Sequence, residues 1–262
     1  MGVLNVTPDS FFDGGRYLDH EAAVRRGREM VAQGANVVDV GGESTRPGAE
    51  QVTLDEELRR VVPVVAALAG QVRVSVDTTK AEVAHAALAA GATLLNDVSS
   101  SLAEVAAEHG AGFVAMHRKG SPAEMQRDPQ YADVVSEVRE FLEQSAAGAR
   151  AVGVAEVYID PGIGFGKTVR HNLELMAALP ELVAVGLPVL LGSSRKSFLG
   201  HLGAGGSPGG RVGEVPILAA EDRFEGSLAA AVWAMACGAA MLRVHDVAAT
   251  AQAARLFQEV AA

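Results

Sequence analysis

Short apolar runs alternate with amphipathic stretches along almost the whole chain. The apolar runs predict buried strands, because parallel strands covered on both faces are hydrophobic without interruption. We place these strands at Gly2–Val6, Asn36–Val40, Val72–Val76, Thr93–Leu95, Gly112–His117, Val157–Ile159, Pro188–Leu191 and Ala240–His245. Each strand is followed by a helical pattern, such as Tyr131–Val152 or Thr53–Leu68, where Thr53 and Glu56 predict a capping box.

Eight strand and helix pairs in 262 residues indicate the fold class. They predict an α/β chain that forms a single (β/α)8 TIM barrel over residues 1–262, with an open, doubly wound sheet as the alternative. In a barrel the functional groups gather at the C-terminal ends of the strands. All eight predicted strands end in a polar group, namely Asn5, Asp39, Asp77, Asn96, His117, Asp160, Ser194 and Arg243.

Not every polar strand end predicts a ligand contact. Asp39 is more easily explained as a brace of the barrel, and His117 as a hydrogen-bonded structural histidine. Asp97 follows Asn96 directly, so its side chain is expected on the opposite face of the strand. One of these two side chains should therefore face the predicted mouth.

The loop from Asp160 to Lys167 follows the sixth predicted strand and contains three glycines in five residues. Glycines allow a tight turn and a close approach of the backbone to a ligand, although an ordinary strand-to-helix turn would use them as well. Lys167 is expected to hold this loop by pairing with a neighbouring carboxylate. Ligand binding is expected to fall to Lys196 instead.

The polar strand ends form two groups by chemistry. Asp77, Asn96 and Asp160 suit the edge of a planar heterocycle, on which Met116 and Phe165 could pack. The second group is cationic and predicts a phosphate-bearing substrate. It consists of Arg46, Lys196, Arg243 and His245, with Ser194 beside them. Neither a P-loop nor a dinucleotide-binding fingerprint is present.

Composition excludes several classes of partner. The formal net charge is −10, from 22 basic and 32 acidic residues, and no polybasic run occurs, which argues against nucleic acid or an anionic membrane. No apolar run reaches the length of about 20 residues that spans a bilayer. The single cysteine, Cys237, lies in an apolar run and is expected to be a buried thiol. These features favour a soluble protein of the reducing cytoplasm.

The motifs together resemble the dihydropteroate synthase family, over essentially the whole chain. The resemblance is carried by Leu4 to Phe11, Gly41 to Gly48, Asp77-Thr78, Asn96 to Val98, Met116-His117, Asp160 to Lys167, Ser194 to Lys196 and Arg243 to Asp246. It implies an enzyme that condenses 6-hydroxymethyl-7,8-dihydropterin diphosphate with 4-aminobenzoate, giving 7,8-dihydropteroate and pyrophosphate for folate biosynthesis. It also implies Mg2+ as cofactor, a homodimer and a family that is a target of sulfonamides.

The resemblance assigns roles to individual residues. Pterin binding is implied for Asp77, Asn96, Met116, Asp160, Phe165 and Lys196. Diphosphate binding is implied for Asn5, Arg46, Arg243 and His245, and Mg2+ binding for Asn5 and Asp13. The 4-aminobenzoate site would consist of Thr45, Arg46, Pro47, Phe165, Ser194 and Lys196. The catalytic residues would be Asp77, Asp160, Lys196, Asp13 and Arg46, with the last two on loops that close over the metal and leaving group.

Two other functions stay open at this point. A pterin-binding methyltransferase domain would share Asp77, Asn96 and Asp160, but it has no use for a diphosphate and 4-aminobenzoate site. A catalytically silent relative would bind pterins without releasing pyrophosphate. The chain also departs from the family at Phe12, Ser100 and Lys119, where a small polar residue, glycine and glutamine are usual.

Overall fold

The protein is described here by a computed structural model, which covers residues 1–7, 12–13, 17–18, 20–43, 52–120, 124–210 and 217–261, with the backbone alone at 12–13, 17–18 and 261. The chain forms two compact units. The first comprises Met1–Ala115 and Ser145–Tyr158, and the second comprises Met116–Gln144 and Ile159–Ala262.

The first unit is organised around parallel strands. They are β1 (Gly2–Asn5), β4 (Val37–Gly41), β5 (Arg73–Asp77), β6 (Leu94–Asp97) and β7 (Gly112–Met116), which pair in that order, and β8 (Val157–Asp160) lies next to β7. A short antiparallel hairpin of β2 (Phe12–Asp13) and β3 (Tyr17–Leu18) follows β1. Because the strands are buried on both faces, they are mostly apolar, with Asp39 in β4 and Ser75 in β5 as buried polar residues inside a strand.

Amphipathic helices connect these strands and cover the sheet. They are α1 (His20–Ala32), α2 (Leu54–Leu68), α3 (Ala81–Ala89), α4 (Ala103–Glu108) and α5 (Val134–Ala151), and α5 contributes residues to both units. Helix α2 begins where predicted, because the Thr53 hydroxyl accepts a hydrogen bond from the backbone N–H of Glu56 at 3.4 Å. The reciprocal half of the capping box is replaced, since the Glu56 carboxylate accepts from Arg59 and Arg60 instead.

The second unit continues the alternation. Ile159 of β8 forms a parallel bridge with Val189, just before β9 (Leu190–Leu191), and β9 pairs in parallel with β10 (Met241–Leu242). The helices are α6 (Val169–Ala177), α7 (Leu179–Val183), α8 (Ser197–Gly203), α9 (Phe224–Ala236) and α10 (Val247–Ala261), with a 3-10 turn at Ala220–Arg223. Thr168 caps α6 in a complete capping box with His171.

The predicted fold class is confirmed. Eight parallel strands, β1 and β4 to β10, are each followed by a helix, as a (β/α)8 chain requires. That residues 1–262 form one domain stays a prediction. Helix α5 begins at Val134 rather than Tyr131, because the Asp133 carboxylate accepts from the N–H groups of Val135 and Ser136 and so caps the helix there. Cys237, expected to be buried, is only half-buried.

No helix in the described ranges is both long and apolar enough to cross a membrane.

Candidate functional site

A row of polar strand ends crosses the first unit. Asn5 pairs with Gly41, Gly41 with Asp77, and Asp77 with Asn96, so the four residues lie side by side on consecutive strands. Residues in register on parallel strands project from the same face of the sheet. Gly41 is the gap in this row: a Cβ added there would lie 3.4 Å from the Asp77 Cβ. The gap leaves space between the carboxamide of Asn5 and the carboxylate of Asp77.

Asp39 braces Asn96, as the structural interpretation of this residue predicts. The carboxylate of Asp39 is fully buried and accepts a hydrogen bond of 3.0 Å from the Asn96 amide nitrogen. A carboxylate accepts but does not donate, so this bond fixes which end of the Asn96 amide faces away from it. The neighbouring Asp97 instead accepts from the N–H groups of Ser99 and Leu102, in agreement with its predicted opposite orientation.

A charged cluster that was not predicted from the sequence lies beside this row. Lys80 donates to the carboxylates of Glu43 and Glu57, and the Thr78 hydroxyl donates to Glu57 at 2.7 Å. Glu57 is 1% exposed and lies on α2, so this cluster ties the loops after β4 and β5 to a helix. Glu57 was not predicted to matter because it lies in the first turn of α2, close to the capping residue Thr53. Acidic residues at such positions are usually solvated and interact with the helix dipole.

In the second unit, Asp160 ends β8 as a buried carboxylate. Its Oδ1 atom accepts from the Gly162 N–H at 2.7 Å. Burial raises the pKa of Asp160, although this hydrogen bond and the positive charges of Lys196 and Arg243 oppose the shift. Gly192 lies between two of these groups, since a Cβ added there would be 3.8 Å from both Asp160 Oδ2 and the Arg243 Cβ.

The loop after β8 needs its glycines. Gly162, Gly164 and Gly166 have φ angles of 66°, 83° and 65°, in the left-handed region that side chains disfavour. The loop's polar backbone atoms are bound from outside as well. Gln126 donates to the Gly164 carbonyl at 2.6 Å, and the Tyr131 hydroxyl donates to the Gly166 carbonyl at 2.8 Å. The loop is therefore a defined structure and not merely a turn.

Lys167 is held differently from the prediction. The expected carboxylate partner is wrong: within the described part of the second unit, the Nζ atom bonds His117 Nδ1 at 2.9 Å and the carbonyls of Gly162 and Phe165 at 3.0 and 3.1 Å. Charge alone suggested an acid, but Lys167 is 2% exposed and the turn directs main-chain carbonyls at it. The imidazole of His117 is thus the structural histidine that was expected.

Phe165 and Lys196 form an aromatic and cationic pair. The Lys196 Nζ atom lies 3.9 Å from the centroid of the Phe165 ring, which is a cation–π contact. The side chain of Lys196 also passes close to the loop, because a Cβ added to Gly164 would be 3.0 Å from Lys196 Cδ. Met116, predicted to line the same pocket, is 5% exposed at the end of β7.

Hydrogen bonds connect the predicted anion-binding residues after β9 with those after β10. Ser194 Oγ accepts from the His245 backbone N–H at 3.2 Å and lies 3.1 Å from His245 Nδ1. Arg195, which was not predicted to matter, forms two hydrogen bonds of 3.1 and 2.6 Å with Asp246. This ion pair links residues 51 positions apart, so no local sequence signal could have identified it. It holds the two loops that carry Ser194, Lys196, Arg243 and His245.

Four predicted site residues lie outside this description. Thr45, Arg46 and Pro47 are not among the described residues, and the side chain of Asp13 is not described either. Within the described ranges, no group of three or more His, Cys, Asp or Glu side chains is arranged to hold a metal ion. The described residue of the predicted Mg2+ pair, Asn5, supplies a carboxamide oxygen, which is a donor that Mg2+ accepts.

Comparison with known proteins gives a consistent result. Residues 1–245 match the family model described as pterin binding enzyme. The dihydropteroate synthase of Mycobacterium leprae is 48% identical over 98% of this chain and 91% of its own length.

Solved structures agree along the full chain. A Yersinia pestis dihydropteroate synthase in a sulfonamide drug complex is similar with a TM-score of 0.89 and 41% identity, covering 99% of this chain and 93% of that one. A Xanthomonas albilineans dihydropteroate synthase in complex with 7,8-dihydropteroate has a TM-score of 0.84 and 41% identity, covering 100% and 92% of the two chains.

Proposed function

The chain belongs to the pterin-binding enzyme family, and on that premise we propose that it catalyses the dihydropteroate synthase reaction. In this reaction 6-hydroxymethyl-7,8-dihydropterin diphosphate condenses with 4-aminobenzoate to give 7,8-dihydropteroate and pyrophosphate. One arrangement in the second unit supports this best. The buried Asp160 carboxylate lies within the electrostatic influence of Lys196 and Arg243, and Lys196 lies on the Phe165 ring. An acceptor, an aromatic face and cations suit a heterocycle that carries a leaving diphosphate.

Pterin recognition is proposed for Asp77, Asn96 and Asp160, with Met116, Phe165 and Lys196 against the ring. A pterin edge offers several N–H groups, which carboxylate and amide oxygens can accept in a largely apolar pocket. The brace from Asp39 supports this role, because it fixes the orientation of the Asn96 amide before a ligand binds.

Arg243, His245 and Asn5 are proposed to bind the diphosphate, together with Arg46. Cations that neutralise a leaving group lower the barrier to its departure, because charge develops there in the transition state. When bound, Mg2+ would add Lewis-acid neutralisation of the same charge, and Asn5 and Asp13 are the residues proposed to hold it. The Arg195–Asp246 ion pair supports the arrangement by holding both loops in place.

The 4-aminobenzoate site is proposed to consist of Phe165, Ser194 and Lys196, completed by Thr45, Arg46 and Pro47. An aromatic amine is already a neutral nucleophile at pH 7, so orientation matters more than a general base. The C–O bond to pyrophosphate breaks and the electron-rich pterin ring stabilises the carbocation that remains. The amine nitrogen then bonds to that carbon and releases a proton. We propose that Asp77 and Asp160 stabilise the positive charge on the ring.

The direct test is pyrophosphate release when the purified protein is mixed with the pterin diphosphate, Mg2+ and 4-aminobenzoate. We expect release from the native protein and almost none from Lys196→Ala, and a sulfonamide should compete with 4-aminobenzoate. No release above the Lys196→Ala level would contradict the proposal. Pterin binding without release would indicate a silent relative, and corrinoid-dependent methyl transfer would indicate a methyltransferase domain.

We also propose that the protein is a cytoplasmic homodimer that pairs through its last helices. Large apolar side chains on these helices are exposed, including Trp233 at 50%, Leu256 at 67% and Val260 at 79%. Such a concentration of exposed apolar surface is typical of an interface. Sedimentation equilibrium of the native protein and of a Leu256→Glu, Val260→Glu double variant tests this, and a native monomer at micromolar concentration would contradict it.

A further inference from the structure

The ammonium group of Lys167 is enclosed by the loop to which it belongs. Its side chain is 2% exposed, and its three nearest partners are His117 Nδ1, the Gly162 carbonyl and the Phe165 carbonyl, at 2.9 to 3.1 Å. An ammonium has three N–H donors, which is the number needed to satisfy these three acceptors, and the His117 carbonyl oxygen lies farther away at 3.4 Å. A neutral amine would leave one of these buried acceptors without a donor, which is costly.

The charge of this side chain depends on pH. Burial lowers the pKa of Lys167 to about 7, Lys196 adds to the shift and the nearby Asp160 carboxylate opposes it, so the side chain is mostly a cation below about pH 7. All the groups that bond the ammonium are neutral. The loop therefore solvates the protonated side chain with its own carbonyl groups.

This enclosed cation determines the path of the main chain. The Gly162 carbonyl accepts from Lys167 and also from the Phe165 backbone N–H at 3.0 Å, so one oxygen closes the turn and binds the ammonium. Gly162 is pressed against His117, since an added Cβ would lie 1.8 Å from the His117 carbonyl oxygen. With both ends of the turn fixed, the position of the Phe165 backbone is fixed too.

Lys196 depends on the same turn. Its ammonium lies on the Phe165 ring, and its aliphatic chain passes Gly164 at van der Waals distance. A shift of the turn would therefore move Phe165 and remove the surface on which Lys196 rests. Two groups proposed for the 4-aminobenzoate site would be displaced together.

We propose that Lys167 is a positioning residue of the aromatic-amine site, which acts by holding the turn from Gly162 to Phe165 as an enclosed cation. This inference rests on the proposed function and adds a residue to its machinery. Pterin binding should weaken too, because Phe165 and Lys196 also belong to the proposed pterin site, but by less, because Asp77 and Asn96 lie on strands that do not depend on this turn.

The main experiment uses the full chain with Lys167→Met, which keeps most of the buried aliphatic volume and removes all three donors. We expect the KM for 4-aminobenzoate to rise about tenfold or more, from the loss of several buried hydrogen bonds. The KM for the pterin diphosphate should change by less than about threefold, since its other contacts remain. Circular dichroism confirms that the variant is folded.

Lys119→Met is the matched control. Lys119 lies next to Gly166 of the loop and contributes a positive charge near Lys167, but its side chain is 46% exposed and rests on Tyr131. We expect both KM values to stay within about twofold of the native ones, because exposed charges contribute little. Equal effects of the two substitutions on the 4-aminobenzoate KM would overturn the inference, as would equal changes in both KM values of Lys167→Met.

A second variant tests the inference if Lys167→Met does not fold. In Lys167→Ala, added propylammonium can occupy the space of the deleted side chain, and we expect it to restore the 4-aminobenzoate KM without changing the native enzyme. A folded Lys167→Ala protein with a native KM would overturn the inference. If the native protein releases no pyrophosphate, the proposed function fails instead. The Kd of 4-aminobenzoate for the same variants, measured by calorimetry, then tests Lys167 separately. We expect this Kd to rise in the Lys167 variants and not in Lys119→Met, and equal changes would overturn the inference.

Discussion

Acid should destabilise this protein through one buried imidazole. His117 is 6% exposed, packs edge-on against Phe141 with ring centroids 5.0 Å apart, and accepts a hydrogen bond from Lys167. Burial, and then the positive charge of Lys167, lower the pKa of His117 from 6.5 to about 3. The folded protein thus keeps this side chain neutral at pH values where the unfolded chain protonates it.

The sign and size of the effect follow from proton linkage. Between pH 6.5 and about 3 the unfolded state binds more protons at His117, so the free energy of unfolding falls as the pH falls. Each pH unit within this window costs about 1.4 kcal/mol. Relative to neutral pH, the loss attributable to His117 is therefore about 2.7 kcal/mol at pH 4.5 and about 4.4 kcal/mol at pH 3.

The measurement compares the native protein with His117→Asn, whose side-chain oxygen can still accept from Lys167 but does not titrate. Urea unfolding is followed at pH 6.5 and 4.5 by the fluorescence of Trp233, which lies in the same unit as His117. Carboxylates such as Glu137 also titrate in this range, but they contribute equally to both proteins and cancel. We expect the native protein to lose about 2.3 kcal/mol more than the variant between the two pH values, because His117 of the unfolded chain is already half protonated at pH 6.5.

Parallel losses in the two proteins would refute this reasoning. They would mean that the folded state accepts a proton on His117 as readily as the unfolded chain does. The Lys167 ammonium would then not be bonded to a neutral imidazole nitrogen.

Three further substitutions give distinct results. Gly162→Ala should destabilise the protein far more than Gly186→Ala, although both glycines have positive φ. The new Cβ would lie 1.8 Å from a carbonyl oxygen at Gly162, whereas it would meet nothing within 4 Å at Gly186. Similar melting temperatures of the two variants would contradict this. Asp160→Asn should lower kcat more than pterin affinity, by about tenfold or more, if the carboxylate stabilises developing charge; equal losses would contradict that role. Asp39→Asn should weaken pterin binding about fivefold, because the Asn96 amide would no longer be held in one orientation. An unchanged Kd for the pterin, measured by calorimetry, would refute the role of Asp39 in orienting Asn96.

The order of strands and helices could be predicted from sequence because the physical signal is local. A continuous apolar run such as Phe113–Met116 has no stable place except a strand covered on both faces. The polar residue at the end of each strand was equally visible. Asn5, Asp77 and Asn96 do lie in one row, because parallel strands in register align their C-terminal ends.

The interactions that hold the candidate site together could not be predicted in this way. The sequence shows that Lys167 is charged, but not that it is buried against carbonyl groups, since that depends on the path of the loop. The ion pair of Arg195 with Asp246 depends on how the loops after β9 and β10 approach each other. Each of these partners is far away in sequence or belongs to the main chain, where residue type carries no signal.

The three glycines of the loop after β8 also limit how this protein can evolve. A side chain at Gly162 or Gly166 would overlap a carbonyl oxygen at 1.8 or 2.2 Å, and one at Gly164 would press on Lys196. All three positions therefore reject nearly every single substitution, whatever its chemistry. Any change of specificity at the proposed 4-aminobenzoate site must therefore come from residues whose side chains can vary, while the main chain that carries Phe165 stays constant.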